Sequence, residues 1–387
     1  MGNGLRVLVG TTKGVFILDS DGQRADWQVS GPLCDGWPIN HVIGDPATGT
    51  LWAAGGGDWH GAGVFRSTDG GASWVLSKLS NGQADEWLAA NPEMAAYTGM
   101  TAAPPAPYTG EVKAIWSLHR AGGVLYAGTK PATLFASHDD GATWERVQGL
   151  SDHPSGPSWE PGGAGLVLHT IISDPSNPHK LWVGISAAGV FATEDGGATW
   201  DRRNRRANDG AEEDHGACGH EVGFCVHNMV RAPGPMPGAD LIYQQNHHGV
   251  FRSPDGGRNW VEITAGLPSN FGFPIAVHPR DPQTIWVLPL NGDSKGRFPP
   301  DASAKVWRSR DGGSNWQAQE QGLPGQNCFF TVLRQSMATD RQSPAGVYFG
   351  TNSGSVFATA DEGDSWSEIA RHLPTVLCVE VLEPQAG

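Results

Sequence analysis

The sequence predicts an all-β protein, a seven-bladed β-propeller of four-stranded antiparallel blades, on three observations. First, of 387 residues 54 are Gly and 28 are Pro, against about 12% for the pair in ordinary proteins. Both residues interrupt helices, so the chain has little room for long ones. Second, a short box ending in Trp recurs along the whole chain. Third, the apolar segments in front of each box recur with it. With 39% hydrophobic residues and 16 Trp, there is ample material for a core.

The box reads Arg66-Ser-Thr-Asp-Gly-Gly-Ala-Ser-Trp74, Ala136-Ser-His-Asp-Asp-Gly-Ala-Thr-Trp144 and Ala192-Thr-Glu-Asp-Gly-Gly-Ala-Thr-Trp200. It returns as Arg252-Ser-Pro-Asp-Gly-Gly-Arg-Asn-Trp260, Arg308-Ser-Arg-Asp-Gly-Gly-Ser-Asn-Trp316 and Ala358-Thr-Ala-Asp-Glu-Gly-Asp-Ser-Trp366. A degenerate copy, Leu18-Asp-Ser-Asp-Gly-Gln-Arg-Ala-Asp-Trp27, comes first. Asp accepts hydrogen bonds from its own turn, Gly supplies positive φ, and Trp begins the next strand. Seven units give roughly 55 residues each, enough for one four-stranded blade.

Before each box stands an apolar strand such as Gly63-Val-Phe65 or Gly189-Val-Phe191, and before that another, such as Leu51-Trp-Ala-Ala or Leu181-Trp-Val-Gly. An innermost strand precedes both, as in His41–Pro46 and His169–Pro175. The frame is circularly shifted. Residues 1–31 open on a second strand, and 375–384 supply an inner strand with no blade of its own, so the two should combine into one closing blade. Closure removes exposed sheet edges. The whole of 1–387 reads as a single propeller domain. One long insertion, 79–110, exceeds ordinary connection length and is expected to cover part of the pocket face, with a short helix around Gln83–Ala96.

The boxes resemble the Asp-box, or BNR, repeats of sialidases, sortilin-type receptors, certain xyloglucanases and a photosystem assembly factor. The resemblance implies a propeller of the sialidase-like or sortilin-like type, of the kind described as BNR-repeat glycosyl hydrolases. It also implies that the boxes lie on the face opposite an active site. It does not fix function. Sialidases of this architecture use an arginine triad, a tyrosine nucleophile activated by glutamate, and an acid/base aspartate. Here Arg66, Arg252 and Arg308 belong to boxes, and Tyr126, Tyr243 and Tyr348 occupy repeated second-strand positions. Arg297 and Arg334 are left to face a pocket, and two do not make the triad. Sialidase activity is not expected.

A propeller site forms where outer-to-inner and second-to-third connections converge. Those connections carry Trp37, His41, Trp59, His60, Glu111, Trp159, His169, Glu221, Cys225, His227, Asn246, His247, Phe273, Asp293 and Arg297. With His215, His220 and His248, eight of the 14 histidines fall there; His119, His138, His153, His179, His278 and His372 read as turn, box or outer-connection residues. Imidazole suits both transition metals and proton transfer near neutral pH. The reading assigns Glu111, Glu221, His169 and His227 to catalysis. It gives Trp37, His41, Trp59, His60, Trp159, Asn246, Phe273 and Arg297 to substrate binding. His169, His227 and His247 are candidate ligands for a divalent transition metal. The plain alternative is that inner-strand histidines bond across blades and stabilise the ring.

With 26 Lys and Arg against 40 Asp and Glu, the net charge is −14. An acidic surface repels phosphate backbones and anionic lipid, so no nucleic acid or membrane partner is expected. The five scattered cysteines suggest no disulfide framework, and the N-terminus reads as a strand rather than a signal peptide, so a cytoplasmic protein is expected. The leading expectation is a hydrolase or lyase acting on a small polar or sugar-like molecule in a His-rich axial pocket. Its competitors are a non-catalytic binding or assembly propeller and a glycosidase with a carboxylate pair.

Overall fold

The structure, a computed structural model, describes residues 4–101, 103–205, 225–233 and 240–383. They form seven antiparallel sheets of four strands each. The first blade is built from Ile39–Gly44, Leu51–Gly57, Gly61–Ser67 and Val75–Ser80, and five more follow in the same order along the chain. Val376–Leu382 then pairs with Leu5–Thr11, Arg6 opposite Leu382, and completes a sheet with Gly14–Ser20 and Trp27–Leu33. The expected closure by the two chain ends is therefore present.

The core is not one mass but seven apolar layers, each between two adjacent blades. Trp182, Val190, Val226, Met229 and Trp260 fill the layer between the third and fourth blades. Leu8, Ile17, Ile39, Phe65 and Cys378 fill the one between the closing and first blades. Second-strand tryptophans seal these layers by donating to the box turn of the next blade. Trp52 Nε1 bonds Asp140 O at 2.8 Å, Trp182 bonds Gly256 O at 2.9 Å and Trp286 bonds Glu362 O at 3.0 Å.

The insertion differs from expectation. One helix over 83–96 was expected, and two are formed, Gln83–Ala90 and Pro92–Thr98. Pro92 disfavours helical geometry at Asn91, whose φ is −130° and ψ 67°. The pair is docked on the Asp58–His60 turn by Gln83 N to Asp58 O and Ala84 N to Trp59 O, both 2.9 Å. No helix among the described residues is long and apolar enough to cross a membrane, and the four described cysteines are free.

Candidate functional site

The inner strands share one irregularity near their starts. Register shifts fall between Ile39 and His41, Ile115 and Ser117, Leu168 and Thr170, and Val226 and Asn228. A bulge leaves one residue unpaired and re-aims its side chain. The re-aimed residues include His169 and His227, at equivalent positions on adjacent blades.

Around His227 a compact group assembles from the fourth and fifth blades. Cys225 immediately precedes the inner strand Val226–Arg231, whose bulge carries His227. The His247–His248 turn joins the second and third strands, Ile242–Asn246 and Gly249–Ser253, and is tied back by His247 N to Cys225 O at 3.0 Å. One ligand atom from each of Cys225, His227 and His247 lies within 4.8 Å of the others. Cys225 Sγ is 3.7 Å from His227 Nε2. His227 donates from Nδ1 to Gly272 O at 2.6 Å, so Nε2 carries the lone pair. Phe271 and Phe273 wall the imidazole, with ring centres 5.2 and 4.6 Å away. Asp293 Oδ2 is 3.8 Å from His247 Nε2, and the same carboxylate pairs with Arg297.

Arg334, on the connection between the fifth and sixth blades, lays its guanidinium 4.8 Å from the Phe273 ring centre. Its Nε is buried without an acceptor, and among the described residues no carboxylate pairs with it. Burial lowers its pKa to about 10, so it stays charged at neutral pH. Burial first, and the Arg334 charge second, push the pKa of both His169 and His227 well below the ordinary imidazole value. Both are neutral at pH 7. Burial pushes the Cys225 thiol up.

The remaining candidates are placed as follows. His169 is buried beside this group, but its Nε2 donates to Val226 O at 2.9 Å and its Nδ1 lies 2.9 Å from Thr170 Oγ1, so both nitrogens are engaged. His41 bridges blades, accepting from Leu118 N at 2.8 Å and facing Glu380 at 3.2 Å. Trp37 is buried against Phe65 and His60, on the first blade. Trp59 is 55% exposed. Trp159 packs on His153 and Phe191 at the third blade. Asn246 is buried and donates to Gln244 at 2.7 Å. Glu111 is exposed and paired with Arg146 of its blade's outer strand. Glu221 lies outside the described residues. Thus His227, His247, Phe273 and Arg297 come together, joined by Cys225, Asp293, Arg334 and Phe271. Cys225 and Asp293 are among the connection residues singled out from sequence, and elimination leaves Arg334 to face a pocket; its approach to the fourth blade comes only from the ring.

His119, read from sequence as a turn or outer-connection residue, is on the inner strand Ala114–Ala121 and bonds Ser173 at 2.7 Å. It lines a cavity of about 410 Å³ at the opposite end of the inner strands, with Arg120, Arg341, Glu380 and Glu383.

No protein-family model matches the chain. The oligoxyloglucan-reducing end-specific xyloglucanase of Emericella nidulans is 24% identical over 223 residues, covering 50% of this chain and 25% of that enzyme. The xyloglucanase of Xanthomonas campestris, of the GH74 class, superposes with TM-score 0.61 at 17% identity, covering 95% of this chain and 53% of that one. YCF48 from Cyanidioschyzon merolae superposes with TM-score 0.53 at 13% identity, covering 85% and 84%. The two superpositions establish a shared fold. The sequence relatives include glycoside hydrolase propellers, and the chain spans a quarter of the Emericella enzyme.

Proposed function

We propose that the protein is a hydrolase acting on a small, polar, sugar-like molecule at the group formed by Cys225, His227, His247, Asp293 and Arg334. One observation carries this reading: two histidines, a thiol, a carboxylate and a guanidinium that has no carboxylate partner among the described residues converge beside an aromatic wall. The neutral His227 imidazole and Asp293 activate a water molecule, Arg334 stabilises negative charge that develops on the substrate, and Phe271 and Phe273 pack on the apolar face of a sugar ring. Similarity to xyloglucanases supports a glycoside as substrate class. Among the described residues Asp293 is the one carboxylate in the group, so a two-carboxylate glycosidase has less support.

The test is hydrolysis of nitrophenyl glycosides, nitrophenyl esters and xyloglucan oligosaccharides. His247→Ala should lower kcat by about 10²–10⁴-fold with the melting temperature unchanged. If no substrate turns over and none shifts the melting temperature, the reading fails. A binding or assembly propeller then takes its place. One observation favours that second reading: the insertion exposes Trp87, Met94, Tyr97 and Met100.

A further inference from the structure

We infer that Cys225, His227 and His247 form a binding site for a borderline-soft divalent metal ion, zinc being the best match. A zinc ion about 2.3 Å from a thiolate and 2.0–2.1 Å from an imidazole sets sulfur and nitrogen about 3.6 Å apart in tetrahedral geometry. Cys225 Sγ and His227 Nε2 already stand at 3.7 Å. The third ligand, His247, sits in a two-residue turn with a half-exposed side chain, so it has room to close on the ion.

Second contacts match a metal site as well. Ligating histidines commonly donate their other ring N–H to a carbonyl or carboxylate, which fixes the tautomer. His227 does so to Gly272 O at 2.6 Å, leaving Nε2 aimed at the sulfur. A thiol–imidazole hydrogen bond alone accounts for the first pair but gives His247 no part.

The ligand set selects the ion. One thiolate and two imidazoles suit zinc, cobalt or copper, whereas magnesium and calcium take oxygen. Three protein ligands also leave a fourth position open, the arrangement of catalytic rather than structural zinc. The charges agree. Once a metal displaces its proton, the Cys225 thiolate together with Asp293 would balance Arg297 and Arg334, so a bound divalent cation would leave the site net positive and suited to an anionic oxygen ligand.

Metal binding is read without any activity assay, so it stands or falls separately from the hydrolase proposal. Full-length protein without an affinity tag is stripped with chelator and titrated with Co²⁺. One equivalent should produce a thiolate-to-cobalt charge-transfer band and tetrahedral d–d bands, all displaced by Zn²⁺. Cys225→Ser should abolish the charge-transfer band, and His247→Ala should weaken Zn²⁺ binding by at least about tenfold. Because His247 sits in a turn with its side chain 33% exposed, outside the apolar layers between blades, its variant tests the site without removing a layer residue. The absence of stoichiometric Co²⁺ or Zn²⁺ binding overturns the assignment. So does a charge-transfer band that survives Cys225→Ser.

Discussion

At the scale of single residues, the box aspartates repeat one arrangement. Asp139 Oδ1 accepts from Ser137 Oγ at 2.8 Å and from Thr143 N at 2.8 Å, and Oδ2 accepts from Thr143 Oγ1 at 2.6 Å. Asp69, Asp195, Asp255, Asp311 and Asp361 do the same with their own neighbours. Hydrogen bonds to the ionised form hold the Asp139 pKa down, from 3.8 to about 2, and that of Asp311 likewise. The stabilisation is complete above pH 3.8 and is lost as the pH falls toward 2. Asp139→Asn should therefore lower the melting temperature at pH 6 by about 1–3 °C and leave it unchanged near pH 2, as a pH series of thermal melts would record. The box was plain in the sequence because its bonds are local, each within four residues. The functional group was only partly legible for the opposite reason. His227 and His247 stood out by type, but the bulge that turns His227 toward Cys225, and the approach of Arg334 from the next connection, depend on pairing between distant segments.

At the scale of strands and helices, adjacent blades are joined by apolar layers and by the tryptophans that close them. Trp182 is fully buried and its indole N–H donates to Gly256 O, which also accepts from Arg203 Nη1 at 2.8 Å. Trp182→Phe keeps an aromatic ring but shrinks it and removes one of that carbonyl's two donors. A loss of about 1–3 kcal/mol is expected, read by urea unfolding monitored by far-UV circular dichroism. Trp59 gives the contrast: with 55% of its surface exposed, Trp59→Ala should change stability by no more than about 0.5 kcal/mol. Position in the repeat already separated the two tryptophans in the sequence. Trp182 recurs with Trp52 and Trp286, whereas Trp59 stands alone in a connection. The insertion was expected to hold one short helix around Gln83–Ala96, and the break at Asn91 that makes two follows from Pro92, a rule that acts on the residue before proline.

For the whole molecule, everything depends on the ring being closed. Val376 and Val379 belong to the layer facing the sixth blade, Cys378 and Leu382 to the layer facing the first. Removing residues 374–387 therefore strips one strand yet opens two layers and exposes the edge of Leu5–Thr11. Because each blade is held only by its neighbours, that damage does not stay local. The truncated chain should lose cooperative unfolding and aggregate, as urea titration and size-exclusion chromatography would record. Sequence length alone is not the cause, and a permuted chain separates the two explanations. Arg6 pairs with Leu382, so a short Gly/Ser linker from Leu382 to Leu5, with new ends at Gly99–Thr101 in the insertion, keeps every layer intact. Its melting temperature should stay within about 5 °C of the parent's, since new ends in an exposed segment are commonly tolerated. A truncated chain that unfolds as cooperatively as the parent would mean that six blades hold their curvature unaided, and that the strand shared between the two ends is dispensable to the fold.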